Sequence, residues 1–176
     1  TELRTNIGEL DALVEEVLLA SRLDAQAAVF TPQPVDVIAL AAEEAAQVGA
    51  ELHAVDAHLS VPGDERLLRR ALRNLLENAR RYGGGEITLH AERRSGQVEV
   101  RVCDRGPGVP EASRERIFEP FFRLPGHAER EGGVGLGLAP VRQIALRHGG
   151  SVRCDAQAGG GSCFVLSLPG PETRSP

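Results

Sequence analysis

The sequence predicts an α+β fold: a two-layer α/β sandwich in which a mixed, mostly antiparallel sheet carries helices on one face. Three observations lead there. Period-two apolar segments at 86–91 with 97–103, and at 151–155 with 162–168, are each joined by a glycine-containing connection and read as hairpins. Segments of helical periodicity at 64–82 and 136–148 lie between and beside them. The 176 residues are 41% apolar, enough to bury one core.

In chain order, Leu3, Ile7, Leu10, Leu13, Val14, Val17 and Leu18 recur every three to four residues with acids between them. This predicts an amphipathic helix over 3–23 whose apolar stripe calls for a partner upstream. Ala27 to Thr31 suits a short strand, and Pro32 and Pro34 break the chain before a helix from about Val35 to Val48, ended by Gly49. Glu51 to Leu59 reads as a weak strand, and Val61-Pro62-Gly63 as a turn.

Asp64 is placed to cap the next helix. At 100° per residue, Leu67, Leu68, Ala71, Leu72, Leu75, Leu76 and Ala79 fill one half of it, and arginines with Glu77 fill most of the other. Asn74 and Asn78, four apart, stack on the border of the apolar stripe, with Arg81 just outside that edge and Tyr82 just inside. Glu77 suits pairing with Arg73 and Arg81, so the basic cluster reads as a solvated face. Gly83-Gly84-Gly85 ends the helix.

The first hairpin turns at Arg93-Arg94-Ser95-Gly96, and Pro110 opens a short helix to Ile117. Residues 124–135 hold four glycines and several charges, the composition of a mobile loop. Pro140 stands in the first turn of the 136–148 helix, where a missing N–H is harmless. The second hairpin turns at Gly159-Gly160-Gly161, and a Pro-rich tail over 170–176 reads as disordered.

Composition excludes several chemistries. All 20 basic residues are arginine, so no Walker A lysine, no Val-Ala-Ile-Lys site and no lysine Schiff base is available. A net charge of −5 gives no general pull toward nucleic acid. Cys103, Cys154 and Cys163 are odd in number and lack paired spacing, which predicts small core residues rather than a disulfide or a zinc site. No apolar run approaches the roughly 18 residues of a spanning helix, and no signal peptide is visible. Without a methionine, the sequence is expected to be a piece of a longer protein.

Two glycine-rich stretches carry chemistry. Asp104-Arg105-Gly106-Pro107-Gly108 follows a strand: its carboxylate can accept from an exocyclic amine, and its glycines let the backbone pass close to a flat ligand. Gly133-Val134-Gly135-Leu136-Gly137-Leu138 leads into a helix and offers N–H groups to an anion. It is no dinucleotide fingerprint, because Leu138 replaces the last glycine. Between them, Phe118-Glu119-Pro120-Phe121-Phe122-Arg123 reads as an apolar anchor with an arginine near a phosphate tail.

In order and spacing, Asn74-x-x-x-Asn78 with Arg81-Tyr82, Asp104-x-Gly106-x-Gly108, Phe118-x-Pro120-Phe121 and Gly133-x-Gly135-Leu136-Gly137-Leu138 resemble the N, G1, F and G2 boxes of sensor histidine kinases. The similarity runs from about residue 3 to 168, and four boxes in sequence are specific. The resemblance implies an ATP-binding catalytic domain over 25–169 of the superfamily that includes gyrase and Hsp90. Residues 1–24 would be the second helix of a dimerisation and phosphotransfer hairpin. Asp104, Gly106 and Gly108 would receive adenine, with Tyr82 against the ring. Gly133, Gly135, Leu136, Gly137 and Leu138 would offer backbone to the phosphates, with Asn74 and Arg81 beside them. Asn78 would hold Mg²⁺, and Asn74 and Arg123 would serve the transfer itself.

The family's phosphoacceptor histidine, followed by an acid and soon by Thr-Pro or Asn-Pro, has no match at His53, His58, His90, His127 or His148. The implied reaction therefore transfers the γ-phosphoryl group of ATP to a histidine outside this sequence, for relay to a response-regulator aspartate. The implied partners are the protein's own hairpin, the response regulator and a second copy in the full-length homodimer. This piece alone is expected to be a monomer or weak dimer, cytoplasmic, from a protein of the bacterial inner membrane. A GHKL-type ATPase, or an ATP-sensing module without transfer, is the alternative. The ATPases place a glutamate where Asn74 stands.

Overall fold

The structure is a computed structural model describing residue 14, residues 30–122 and residues 137–171. Of the predicted first helix only Val14, helical and exposed, falls within it. The expected 124–135 loop and most of the expected tail lie outside the described residues.

A five-stranded sheet forms one layer. Its members are β2 (Glu51–Ala54), β4 (Thr88–Arg94), β5 (Gln97–Cys103), β6 (Ser151–Ala156) and β7 (Ser162–Pro169), in the order β2-β4-β5-β7-β6. Only β2 against β4 is parallel; the other pairings are antiparallel. Helices α1 (Val37–Val48), α2 (Glu65–Tyr82) and α3 (Leu138–Arg147) supply the second layer. The alternate residues Leu89 and Ala91, Val98, Val100 and Val102, and Phe164, Leu166 and Leu168 join the helices in a single core. The α+β sandwich read from periodicity is therefore the observed architecture.

Local sequence explains the helix ends. The Asp36 carboxylate accepts from the Ile38 and Ala39 N–H groups at the start of α1, and Gly49 closes it in the left-handed region at φ 69°. Asp64 accepts from Arg66 and Leu67 at the start of α2. Leu68, Leu72, Leu75 and Leu76 of α2 are fully buried, each contributing roughly 1.5–3 kcal/mol as an upper bound.

Three expectations need correction. The strand expected over 27–31 lies mostly outside the described residues, and its described end at Phe30 and Thr31 is not strand; β1 (Gln33–Asp36) is, paired antiparallel with β3 (Ser60–Gly63), so the supposed turn at 61–63 is strand. Pro34 faces Pro62 in this two-stranded ribbon, and Val37 N–H bonding to Leu59 C=O puts that proline pair at a non-hydrogen-bonded position. The β4–β5 turn is only Ser95-Gly96, with φ of 53° and 78°, as a two-residue hairpin requires. The helix expected from Pro110 is a pair of short 3₁₀ turns, Glu111–Ser113 and Arg116–Phe118.

The cysteines also differ from expectation. Cys103 and Cys163 are register partners on β5 and β7 and form a disulfide, while Cys154 is free and buried. Sixty residues of separation carry no spacing signal; strand pairing alone brings them together.

Candidate nucleotide site

The border read on α2 is real. Asn74, Asn78 and Tyr82 are half-buried, between the fully buried Leu75, Leu76 and Ala79 and the exposed Arg73, Arg80 and Arg81. Glu77 binds Arg80 at 2.9 Å and lies 3.9 Å from Arg81. The Arg80 hydrogen bond, against the effect of burial, holds its carboxyl below the ordinary range. Arg73, expected to pair with Glu77, turns instead to Glu44 of α1. Glu44 is buried and also receives Arg69. Burial pushes its carboxyl up, and the Arg73 and Arg69 guanidiniums outweigh it, leaving the group below its usual value.

Beyond Tyr82 the chain enters a seat made of glycine. The Gly84 C=O accepts from Arg105 N–H at 2.8 Å, joining the end of α2 to the turn after β5. A Cβ on Gly83 would lie 2.6 Å from the Asp104 Cβ, and one on Gly106 would lie 2.7 Å from the Gly83 Cα. From the other side, a Cβ on Gly161 would meet the Asp104 C=O oxygen at 2.0 Å, and that glycine has φ 101°. Gln157 donates to the same Asp104 C=O at 2.9 Å, and Asp104 N–H donates to Ser162 C=O. The sequence marked 83–85 and 159–161 only as a helix stop and a hairpin turn; their two-sided contact with Asp104 depends on topology.

Asp104 itself is 4% exposed, an unusual place for a carboxylate. Burial pushes its carboxyl up, partly offset by hydrogen bonds from the backbone of Gly106, at 2.9 Å, and of Ser162. An ionised carboxylate has about four acceptor positions, so these leave room for another donor. A buried, backbone-held acceptor beside glycines is suited to reading an amino group on a flat ring.

Gly137 and Leu138 open α3. Among the described residues no side chain caps the helix and none stands within 4 Å of where a Gly137 Cβ would be, while Leu138 points into the core. The first N–H groups of any α-helix lack intrahelical partners, which is the arrangement an anion site requires. Arg123, Gly133, Gly135 and Leu136 lie outside the described residues. Phe118 packs edge-on against Phe164 of the core and half-buried Phe122 also packs on that core, while Phe121 is 58% exposed with φ 64°, so the expected apolar anchor is made by Phe118 and Phe122.

At the opposite end of α2, buried His148 ties two helices. Its Nε2 accepts from Asp64 N–H at 3.0 Å, and its Nδ1 donates to Ile144 C=O at 2.8 Å. Burial holds the ring below the ordinary imidazole range, so it is neutral here, not the charged C-terminal histidine that helix position alone suggests. Phe30 packs edge-on against it, with Arg147 over the Phe30 ring.

Residues 63–172, more than half of the chain, match the family model described as histidine kinase-, DNA gyrase B-, and HSP90-like ATPase. The chain belongs to that family. It is 48% identical over 120 residues to the adaptive-response sensory kinase SasA of Crocosphaera subtropica, covering 65% of this chain and 31% of the relative. It is 36% identical over 179 residues to the sensor protein RstB of Escherichia coli, covering 95% of this chain and 40% of the relative. Full-length ShkA, solved in complex with AMPPNP, superposes with a TM-score of 0.77 at 31% identity over 99% of this chain and 39% of that one. The mycobacterial sensor histidine kinase MprB superposes with 0.70 at 30% identity over 81% of this chain and 99% of that one. Within the family, this is an ATP-binding catalytic domain of the sensor histidine kinase kind, spanning less than half of the curated relatives just named.

Proposed function

We propose that this domain binds Mg-ATP at the seat formed by α2, the Asp104 turn and the start of α3, and transfers the γ-phosphoryl group to a histidine on an upstream hairpin helix. A response-regulator aspartate then takes the group. The observation that carries this reading is Asp104: a buried carboxylate held by backbone, at the junction of two glycine-only contacts. Its remaining acceptor capacity takes the adenine amino group, and the glycines admit the ring plane against Tyr82. Gly108, whose φ is 79°, continues that turn.

On the phosphate side, the first N–H groups of α3 at Gly137 and Leu138 hold anionic oxygens, joined by Gly133, Gly135 and Leu136 from the preceding run. Asn74 and Arg81 border the phosphates from α2. Arg123 offsets charge developing on the transferred group. Among the described residues no group of three or more His, Cys, Asp or Glu side chains could hold a metal. On this reading the ion is bound chiefly through nucleotide oxygens, with the Asn78 amide oxygen as the protein's ligand. Mg²⁺ would neutralise phosphate charge. Glu77 is engaged by Arg80 and serves no base role.

Residues 1–24 belong on this reading to the dimerisation hairpin, 25–169 to the catalytic domain and 170–176 to a tail. Among the described residues no helix is long and apolar enough to cross a membrane. The domain works in the cytoplasm, and the full-length homodimer sits in the bacterial inner membrane. Calorimetry with Mg²⁺ and a non-hydrolysable ATP analogue is expected to show one site per chain. Absence of heat at saturating ligand overturns the nucleotide assignment. Adding a phosphoacceptor hairpin in trans is expected to yield acid-labile phosphohistidine from ATP, with none formed by this chain alone. Binding without transfer would reduce the domain to a nucleotide sensor.

A further inference from the structure

The disulfide lies where the adenine carboxylate is held. Cys103 immediately precedes Asp104, and Cys163 immediately follows Ser162, whose C=O takes the Asp104 N–H at 2.9 Å. Gln157 connects the two features again: its Oε1 lies 3.0 Å from Cys163 Sγ, while its Nε2 donates to the Asp104 C=O. Val102 and Phe164 on either side point into the core, so alternation puts both sulfurs on the sheet face away from the helices. There they are flanked in register by Thr88 and Asp155. Cys163 is half-buried and Cys103 buried, which makes Cys163 the more accessible residue of the pair. Cys154 belongs to the core, and burial pushes its thiol up to about 11, so it takes no part.

We propose that Cys103 and Cys163 form a thiol–disulfide exchange site that sets nucleotide affinity, the oxidised form holding Asp104 in place and the reduced form releasing it. The proposal rests on the nucleotide reading of Asp104. A domain that uses cytoplasmic ATP works among reductants, where protein disulfides serve as transient or sensing bonds rather than permanent ones. The reductant is a small thiol or a protein dithiol. Its thiolate attacks Cys163 Sγ, the S–S bond breaks, and Cys103 leaves as a thiolate that takes up a proton. A second reductant thiol then resolves the mixed disulfide, so the protein gains two thiols and two electrons while the reductant ends as its own disulfide. Reduction frees the β5 and β7 ends from each other. It also changes the contact between Cys163 Sγ and Gln157 Oε1, on the same amide whose Nε2 steadies the Asp104 carbonyl, because a free thiol is a weak S–H donor and a disulfide sulfur is not.

The test measures affinity for a non-hydrolysable ATP analogue with Mg²⁺ after treatment with oxidised glutathione or with excess dithiothreitol. Alkylation and peptide mass spectrometry read the state of each cysteine in parallel. Reduction is expected to weaken binding at least threefold and reversibly. Cys103→Ser and Cys163→Ser should bind like the reduced protein in both buffers, and Cys154→Ser should keep the response. Equal affinity with the bond made and broken overturns the proposal and leaves nucleotide binding standing, as does failure of the oxidant to form the bond. Absence of binding in both states, with the bond demonstrated, overturns this proposal together with the nucleotide reading. If a serine variant fails to fold, the wild-type comparison of the two redox states decides alone.

Discussion

The two ends of α2 are built from opposite materials. At its start, side chains satisfy the backbone: Asp64 caps the first turn, and His148 accepts the Asp64 N–H while donating to α3. At its finish the helix end carries no side chains of its own: Gly83 lies against the Asp104 side chain and the Gly106 backbone, and Gly84 against the backbone of Arg105 and Gly106, with half-buried amides behind them. The difference teaches where stability and ligand recognition are separated along one helix. A neutral, fully bonded histidine stabilises the fold, whereas a carboxylate held against its desolvation cost is, on the proposed reading, kept for a ligand.

The sharpest way to break this division is to add one methyl at the glycine end. Gly106→Ala drives a Cβ to 2.7 Å from the Gly83 backbone, and α2 must move from the Asp104 turn. Calorimetry is expected to show nucleotide affinity reduced by about thirtyfold or more, on the order of 2 kcal/mol. An Ala variant that binds like wild type would show that the seat is not used.

Asp104→Asn tests the same end with the fold left alone. Loss of the charged acceptor should weaken the ATP analogue by about tenfold, since a hydrogen bond to a charged group contributes roughly 1.5–3 kcal/mol. Because burial disfavours the ionised form of Asp104, the melting temperature should hold or rise. A variant that melts lower and binds normally would assign Asp104 to stability instead.

Glu44→Ala addresses the middle of the helix, where Arg69 and Arg73 meet α1. Removing a buried carboxylate from two guanidiniums should cost about 1–3 kcal/mol in urea unfolding, less than a fully buried pair because Arg73 is 55% exposed. Nucleotide affinity well below the midpoint should stay within about twofold. A selective loss of binding would mean that α1 shapes the site.

The smallest effect belongs to the capped end. His148 is held neutral in the fold, so its contribution is complete above the unfolded imidazole value of about 6.5 and is lost as pH falls below it. Asp64, on the α2 side, favours the charged ring and Arg147 opposes it. His148→Gln should flatten the loss of stability between about pH 6.5 and 5, by about 1 kcal/mol. His90, lowered by burial and then by His53 and Arg101, leaves a residual slope of the same sign. An unchanged pH profile in the variant would remove His148 from that role.

The contrast also marks what was legible in the residues. The stripe of α2, its Asp64 cap, the amides on its border and the Asp104 turn were all readable, because each depends on neighbours within a turn or two of chain. The ribbon of Gln33–Asp36 with Ser60–Gly63 was not, since prolines that break most strands are harmless at non-bonded positions of a narrow ribbon, and only the partner fixes those positions.

By itself the sequence determined periodicity, capping and the order of the glycine turns, and with them the family. Tertiary structure alone decided that Glu44 draws Arg73 away from Glu77, that His148 is a neutral bridge, and that Cys103 meets Cys163 beside Asp104. The reason is physical. Local signals arise from bonded geometry and repeat along the chain, but pairings across 29, 84 and 60 residues exist only once the sheet order has brought the strands and helices together.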